Sequence, residues 1–407
     1  MNTTQHAYKV IEAGDAASPK GFSSGGVHAG LKKKKRDFGW IVSEVPANAA
    51  GVYTVNPFKA APLKVTEQTV KIHQTLRAIV VNSGVANACT GPKGYRDALA
   101  MRSKAAQELE VPVNEVAIAS TGVIGTLLPM DAIYYGCSKI KEAAYQNSQY
   151  FNEAILTTDT TAKHIAVEVE IDHQIVTIGG TAKGSGMIHP NMATMLGFMT
   201  TDAVIESKHL QGLLKEVVDD TFNMITVDGD TSTNDMVLVL ANGKVSTNPL
   251  TPEHPAWNQF KAAFLKVAKH LAIAIAKDGE GATKLVKVKV TGAPTKTIAG
   301  QTAKGIISSN LVKTALFGED PNVGRLSSAI GNFYPNVRPN EVNIWLCGTL
   351  VVNNGLPADF NESDLKAQMG NHIIDITATI GKGKYEQEAF GCDLSYDYVR
   401  INASYRT

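Results

Sequence analysis

The residues with most chemical potential lie near the middle of the 407-residue chain, in Lys183-Gly-Ser-Gly-Met-Ile-His-Pro-Asn-Met-Ala193-Thr194-Met-Leu196. Ala193-Thr194 joins a small residue to a hydroxyl residue, in a stretch too rich in Gly, Pro and Asn for a regular helix. If the chain cut itself before Thr194, the threonine would carry a free α-amino group beside its own hydroxyl. The amine would then act as local base for a weak nucleophile. An α-amino group titrates at about 8, close enough to neutrality for that task. On composition alone the same segment reads as a loop between two β-layers.

A threonine nucleophile needs donors for the oxyanion it creates. Ser120-Thr-Gly-Val-Ile-Gly125 closes a strand-like run in a Gly-containing turn, a good place to present them, though a plain strand-to-helix turn has the same composition. Other motifs fail on inspection. Asp228-Gly-Asp-Thr-Ser-Thr-Asn-Asp235 opens like a calcium loop, but Thr233 stands at its sixth position and Val239 at its twelfth. Gly179-Gly-Thr-Ala-Lys-Gly-Ser185 lacks the Gly-Lys-Ser order of a phosphate loop. His189 reads as a bystander, because the amine would already supply the base. Neither a metal nor a bound cofactor is expected.

These residues must be positioned by interleaved strands and helices. Strand-like runs are Arg77–Asn82, Val116–Ser120, Met236–Leu240, Lys284–Val290 and Val342–Cys347, with a hairpin over His164–Ile171 and Gln174–Ile178. Helical spacing marks Tyr95–Leu109, Met130–Tyr145, Leu210–Met224, Glu253–Lys277 and Thr302–Leu316. The last ten residues, Tyr398–Thr407, alternate like a docked strand. Together the elements predict an α/β layered fold.

Composition bounds the remainder. Hydrophobic residues make up 44% and charged residues 19%, as in an ordinary globular protein. A net charge of +1 gives no reason to expect nucleic acid or an acidic membrane surface as partner. The basic run Lys32–Arg36 reads as a solvated turn between two strands. Cys89, Cys137, Cys347 and Cys392 are widely spaced and expected to be reduced and packed, as in a cytoplasmic protein. No secretory signal or membrane span is expected.

Several ordered blocks carry a resemblance over nearly the whole chain. They are Ser18–Phe22 with Gly25–Val27, Val81–Gly84 with Ala86–Gly91, Ser120–Gly125, Thr157–Asp159, Lys183–Asp202, Gly318–Asn322 with Gly324-Arg325, and Asn402. In these blocks the sequence resembles the ornithine acetyltransferase (glutamate N-acetyltransferase) family of arginine biosynthesis. The resemblance implies two stacked mixed β-sheets in an α-β-β-α sandwich. It also implies self-cleavage into an alpha fragment, 1–193, and a beta fragment, 194–407, assembled as a heterotetramer of two alpha and two beta. Thr194 would be the nucleophile, with Ala193 on the other side of the cut, and Thr121 and Gly122 the oxyanion hole. Thr157, Lys183, Thr194, Glu280, Asn402 and Thr407 would bind substrate, with Thr158 as an alternative to Thr157. Lys183 suits the α-carboxylate shared by N-acetylornithine and glutamate, and Glu280 the ornithine ammonium. Acetyl-CoA is a possible second donor, as in the bifunctional members. The competing reading is an N-terminal-nucleophile aminopeptidase or amidase of related fold.

Overall fold

The computed structural model describes residues 8–143, 147–189 and 195–404. Strands β1 (Lys9–Ile11), β2 (Phe22–Val27), β3 (Phe38–Tyr53), β4 (Thr75–Val85), β5 (Val116–Val123), β6 (Lys163–Ile171), β7 (Gln174–Lys183), β8 (Leu196–Thr201) and β9 (Met236–Ala241) form one mixed sheet. Its order is β1-β6-β7-β8-β9-β3-β4-β5, with β2 also paired to β3.

The sheet doubles on itself through β3. The first part of this strand, from Phe38, pairs with β2 and β4, while Asn48–Tyr53 pairs with β9, and the β4 register shifts between Val42 and Ala47. Two layers result, with Ile79, Val81 and Ala119 of one packed against Phe198, Leu238 and Leu240 of the other. Helices cover both outer faces. Ser207–Asp220 and Trp257–Lys277 pack on β6–β9 through Leu214, Phe264 and Leu271. Gly91–Leu109 and Met130–Ser138 pack on the opposite side through Met101 and Ile133 against Trp40, Val80 and Ile118. The α-β-β-α sandwich expected from the resemblance is therefore present. Its central strands β8 and β9 are buried along their whole length, which explains why Met236–Leu240 reads as a continuous apolar run rather than an alternating one.

A second sheet adds a body that the sandwich expectation did not include. Strands β10 (Leu285–Ala293), β11 (Asn343–Leu346), β12 (Thr349–Asn353), β13 (Leu356–Pro357), β14 (Ile373–Thr379) and β15 (Tyr385–Cys392) are ordered β13-β12-β11-β14-β10-β15. Helices Lys296–Ser308 and Val323–Phe333 close its own core of Val288, Ile306, Ile330 and Ile376.

Other expectations need correction. Thr302–Leu316 is two helices broken at Ser309, whose hydroxyl accepts from Val312 N and caps the second. The helix expected over Leu210–Met224 ends at Asp220 and gives way to a 3-10 turn at Phe222–Met224. The C-terminal tail is a helix, Tyr396–Ser404, and not a strand. Ser395 Oγ accepts from Asp397 N at 3.2 Å and turns the chain into that helix. Lys32–Arg36 is a turn as expected, yet Lys32 is more than a solvated charge: its Nζ donates to Leu156 O at 2.7 Å and Arg36 O at 2.9 Å. Burial lowers its ammonium to about 8. Cys89 is exposed rather than packed, in a turn where its φ is 56°. Among the described residues no helix is long and apolar enough to cross a membrane.

Candidate active site

Lys183 ends β7 and pairs with Leu196, the first residue of β8, so the ladder brings together the two residues that flank 184–195. Its ammonium, on a residue only 8% exposed, donates to Thr157 Oγ1 at 2.9 Å and Thr121 Oγ1 at 3.4 Å. It is Thr157, rather than Thr158, that meets Lys183. Because Thr121 Oγ1 accepts from the lysine, its own O–H proton remains free to be donated elsewhere.

Asp159 holds this group together. It accepts from Lys163 Nζ at 2.8 Å, Thr157 N at 2.9 Å and Gly184 N at 2.7 Å, with Lys183 Nζ 4.0 Å away. Burial alone would push its carboxyl up, but Lys183, Lys163 and the hydrogen bonds outweigh that and hold it well below the ordinary carboxylate range. Lys163 also donates to Asp278 at 2.6 Å, so the buried ammonium is itself compensated.

The turn at Thr121-Gly122 is fixed by backbone crowding. Gly122 has φ 126°, and a Cβ there would lie 2.3 Å from the Gly84 carbonyl carbon. No other residue fits. From the other side, Asn234 Nδ2 donates to both Ala86 O and Ser120 O at 2.7 Å, locking the turn to the loop that precedes β9.

The second sheet brings the opposite wall. Glu280 lies just before β10, and its N–H donates to Ser185 O at 2.9 Å. Its carboxylate accepts from Asn402 Nδ2 at 2.8 Å. The C-terminal helix carries Asn402 one turn after Tyr398, whose hydroxyl bonds Asp228; burial and the nearby Asp228 and Glu280 charges keep that phenol above its ordinary value.

A cavity of about 210 Å³ lies between these groups. Thr121, Gly122, Thr157, Lys183, Glu280 and Asn402 all line it, as does Met195. Ala193, Thr194 and Thr407 lie outside the described residues. Met195, the residue after Thr194, is anchored by Met236 N, which donates to its carbonyl at 3.0 Å. Among the described lining residues Lys183 is the one cation, facing Asp228, Asp230, Asp235 and Glu280. Such a cavity suits a ligand with one carboxylate and a separate ammonium group.

His189 is not among the lining residues. Its Nδ1 is 3.0 Å from Thr226 Oγ1, and burial lowers the ring to about 4. Sequence reasoning missed Asp159, Asn234, Asp235 and Tyr398. The only signal was the polar density of Asp228–Asp235, which was weighed as a cation loop when its work is to hydrogen-bond the chain around it.

Comparison with known proteins places these residues in a family. The ArgJ family model matches residues 23–407. The arginine biosynthesis bifunctional protein ArgJ of Staphylococcus saprophyticus is 55% identical over 394 residues, spanning 97% of this chain and 96% of that protein. Its namesake from Oceanobacillus iheyensis is 52% identical over 405 residues, spanning 100% of this chain and 99% of that one. Among solved structures, ornithine acetyltransferase complexed with ornithine from Mycobacterium tuberculosis is 38% identical, with a TM-score of 0.43, covering 46% of this chain and 100% of that chain. The chain, matched by the family model over nearly its whole length and by relatives at half identity or better, belongs to the ArgJ family.

Proposed function

We propose that this chain transfers the acetyl group of N2-acetyl-L-ornithine to L-glutamate in arginine biosynthesis, by way of an acetyl group carried on Thr194. The observation that carries this reading is the convergence of Thr121, Gly122, Thr157, Lys183, Glu280 and Asn402 on one acidic cavity beside Met195. Self-cleavage between Ala193 and Thr194 leaves fragments 1–193 and 194–407 and frees the Thr194 amine. That amine takes the Oγ proton as Oγ attacks the acetyl carbon, and returns it to the departing ornithine nitrogen. Thr121 Oγ–H and Gly122 N–H bind the oxyanion. The glutamate amine then attacks the acetyl-threonine, and Oγ regains its proton.

Lys183 takes the α-carboxylate common to donor and acceptor, while Glu280, oriented by Asn402, takes the ornithine ammonium. Thr157 and Thr407 complete substrate contact. The curated relatives are named bifunctional, and acetyl-CoA serves as a second donor to the same threonine without any resident cofactor. The working assembly is a heterotetramer of two alpha and two beta fragments in the cytoplasm.

The test pairs intact mass of the denatured protein with a half-reaction. Expected are a fragment ending at Ala193, a fragment beginning at Thr194, and exchange of labelled ornithine into acetylornithine without glutamate. A single uncut chain in active protein would overturn the Thr194 chemistry. An aminopeptidase or amidase would instead deliver the acyl group to water, so glutamate would remain unmodified.

A further inference from the structure

The cavity beside Met195 is acidic and holds only about 210 Å³, less than the roughly 300 Å³ at which pockets for larger ligands begin. Acetyl-CoA carries its acetyl group and its phosphates at opposite ends of a long pantetheine arm. The acetyl end suits this cavity. The phosphates do not, because Asp228, Asp230 and Glu280 in its wall would repel them. They need a cationic surface outside it.

The molecule has such a surface in the turn between β2 and β3, Lys32-Lys-Lys-Lys-Arg36. Buried Asp37 shapes this turn, accepting from Ala29 N at 2.5 Å and Lys32 N at 2.7 Å. Lys34 and Lys35 are exposed, and among the described residues neither has an ion-pair partner. With Arg36 and His28 they line a surface cavity of about 740 Å³. Arg36 sits over the Tyr150 ring, 3.6 Å from its centroid, and donates to Glu153 at 2.7 Å. Glu153 is the one acid among the described lining residues, and that pairing already occupies it. The chain as a whole carries only +1, so this excess of positive charge is local.

The basic and acidic cavities share a wall. Leu156 lines the first, and Thr157, next in sequence, lines the second. Lys32 fastens that wall to the turn, through its bonds to Leu156 O at 2.7 Å and Arg36 O at 2.9 Å. Its ammonium feels Lys183 of the acidic cavity as well as Lys35 of the basic one.

We propose that Lys34, Lys35 and Arg36 dock the phosphates of acetyl-CoA, with the pantetheine arm passing the Leu156-Thr157 wall toward the acidic cavity. The inference rests on the reading that acetyl-CoA is a second donor. The lysines supply mobile point charges, and Arg36, braced on Tyr150, supplies a planar fork suited to a phosphate. No bond is made or broken at the turn. Acetylornithine carries no phosphate and has no use for it.

The experiment compares three acetyl donors: acetyl-CoA, acetyl-pantetheine, which is the same thioester arm without phosphates, and acetylornithine. The double variant Lys34→Glu/Lys35→Glu should lower kcat/KM for acetyl-CoA on the order of tenfold, and by at least threefold. Its kcat/KM for acetyl-pantetheine and acetylornithine should match wild type. A smaller fall with acetyl-CoA, or an equal fall with acetyl-pantetheine, would overturn the docking site and leave the second-donor reading standing. If the variant does not fold, salt decides: added salt should lower wild-type kcat/KM more steeply for acetyl-CoA than for acetyl-pantetheine, and equal slopes overturn the proposal. A wild-type chain that takes acetyl from acetylornithine but from neither thioester removes the second-donor reading together with its docking site.

Discussion

Thr121 receives a hydrogen bond from Lys183, so the direction of its own O–H is decided by what lies in the cavity. Replacing it with alanine removes the proposed oxyanion donor and nothing from the backbone ladder. Thr121→Ala should therefore lower kcat on the order of 10²-fold with little change in KM or melting temperature, and Thr121→Ser should recover most of the loss. Steady-state kinetics decide; an equal rise in KM would mean the hydroxyl binds ground-state substrate instead. Protonation gives a second prediction at this scale. His189 falls from its ordinary 6.5 to about 4 in the fold, so the unfolded chain binds that proton first. Its contribution to stability is intact above about 6.5 and is lost as pH falls toward 4. Asp159, held low by Lys183 and Lys163, loses its contribution only below the ordinary carboxylate range. The melting temperature should drop between pH 6.5 and 4, and His189→Gln should flatten that part of the curve; an unchanged curve in the variant would rule the histidine out. Lys183 and Glu280 became legible through the resemblance. Asp159 and Asp235 did not stand out, because a carboxylate's burial is set by tertiary neighbours and not by its own sequence.

At the scale of elements, type was more legible than boundaries or endings. Of the strands flanking the proposed cut, β7 was legible over Gln174–Ile178, as half of a hairpin, whereas β8, Leu196-Gly-Phe-Met-Thr-Thr201, was missed because it neither alternates nor runs continuously apolar. The tail was misread because Tyr398-Val-Arg-Ile-Asn402 satisfies alternation and also places Tyr398 and Asn402 four apart, on one helix face. Helical geometry is what brings both to the cavity, and none of that helix is buried. Its hold on the site is thus separable from the fold. Arg400→Pro removes an interior hydrogen bond and clashes with the preceding turn, at a local cost of about 3 kcal/mol. Asn402 then leaves Glu280, and KM for acetylornithine should rise about tenfold or more, with the melting temperature nearly unchanged. Arg400→Ala keeps the helix and loses only an exposed ion pair with Asp397, so it should behave as wild type. A KM for Arg400→Pro equal to that of Arg400→Ala would show that the helix does not position the site.

For the whole molecule, the proposed cut falls where breaking the chain would break no sheet. β7 and β8 would stay joined by the antiparallel ladder from Ile178↔Thr201 to Lys183↔Leu196, although one would belong to the alpha fragment and the other to the beta fragment. β3, which the proposed cut would leave in the first fragment, pairs with β9, which it would leave in the second, from Asn48↔Ala241 to Tyr53↔Met236. The cores are likewise shared: Val167 and Ile178 pack with Val237, Phe264 and Leu271, and Ile79 and Val81 with Phe198 and Leu238. Neither fragment could bury its own apolar faces alone, and separating them would expose most of two cores at about 25 cal/mol for each Å² uncovered. The fragments should therefore co-elute on native gel filtration and unfold in a single transition, parting only in denaturant. Processing should leave the melting temperature of the wild type equal to that of an uncut Thr194→Ala chain within a few degrees. Fragments that separate in native buffer would contradict this account, because the ladder across the cut would then contribute too little to hold the sandwich together.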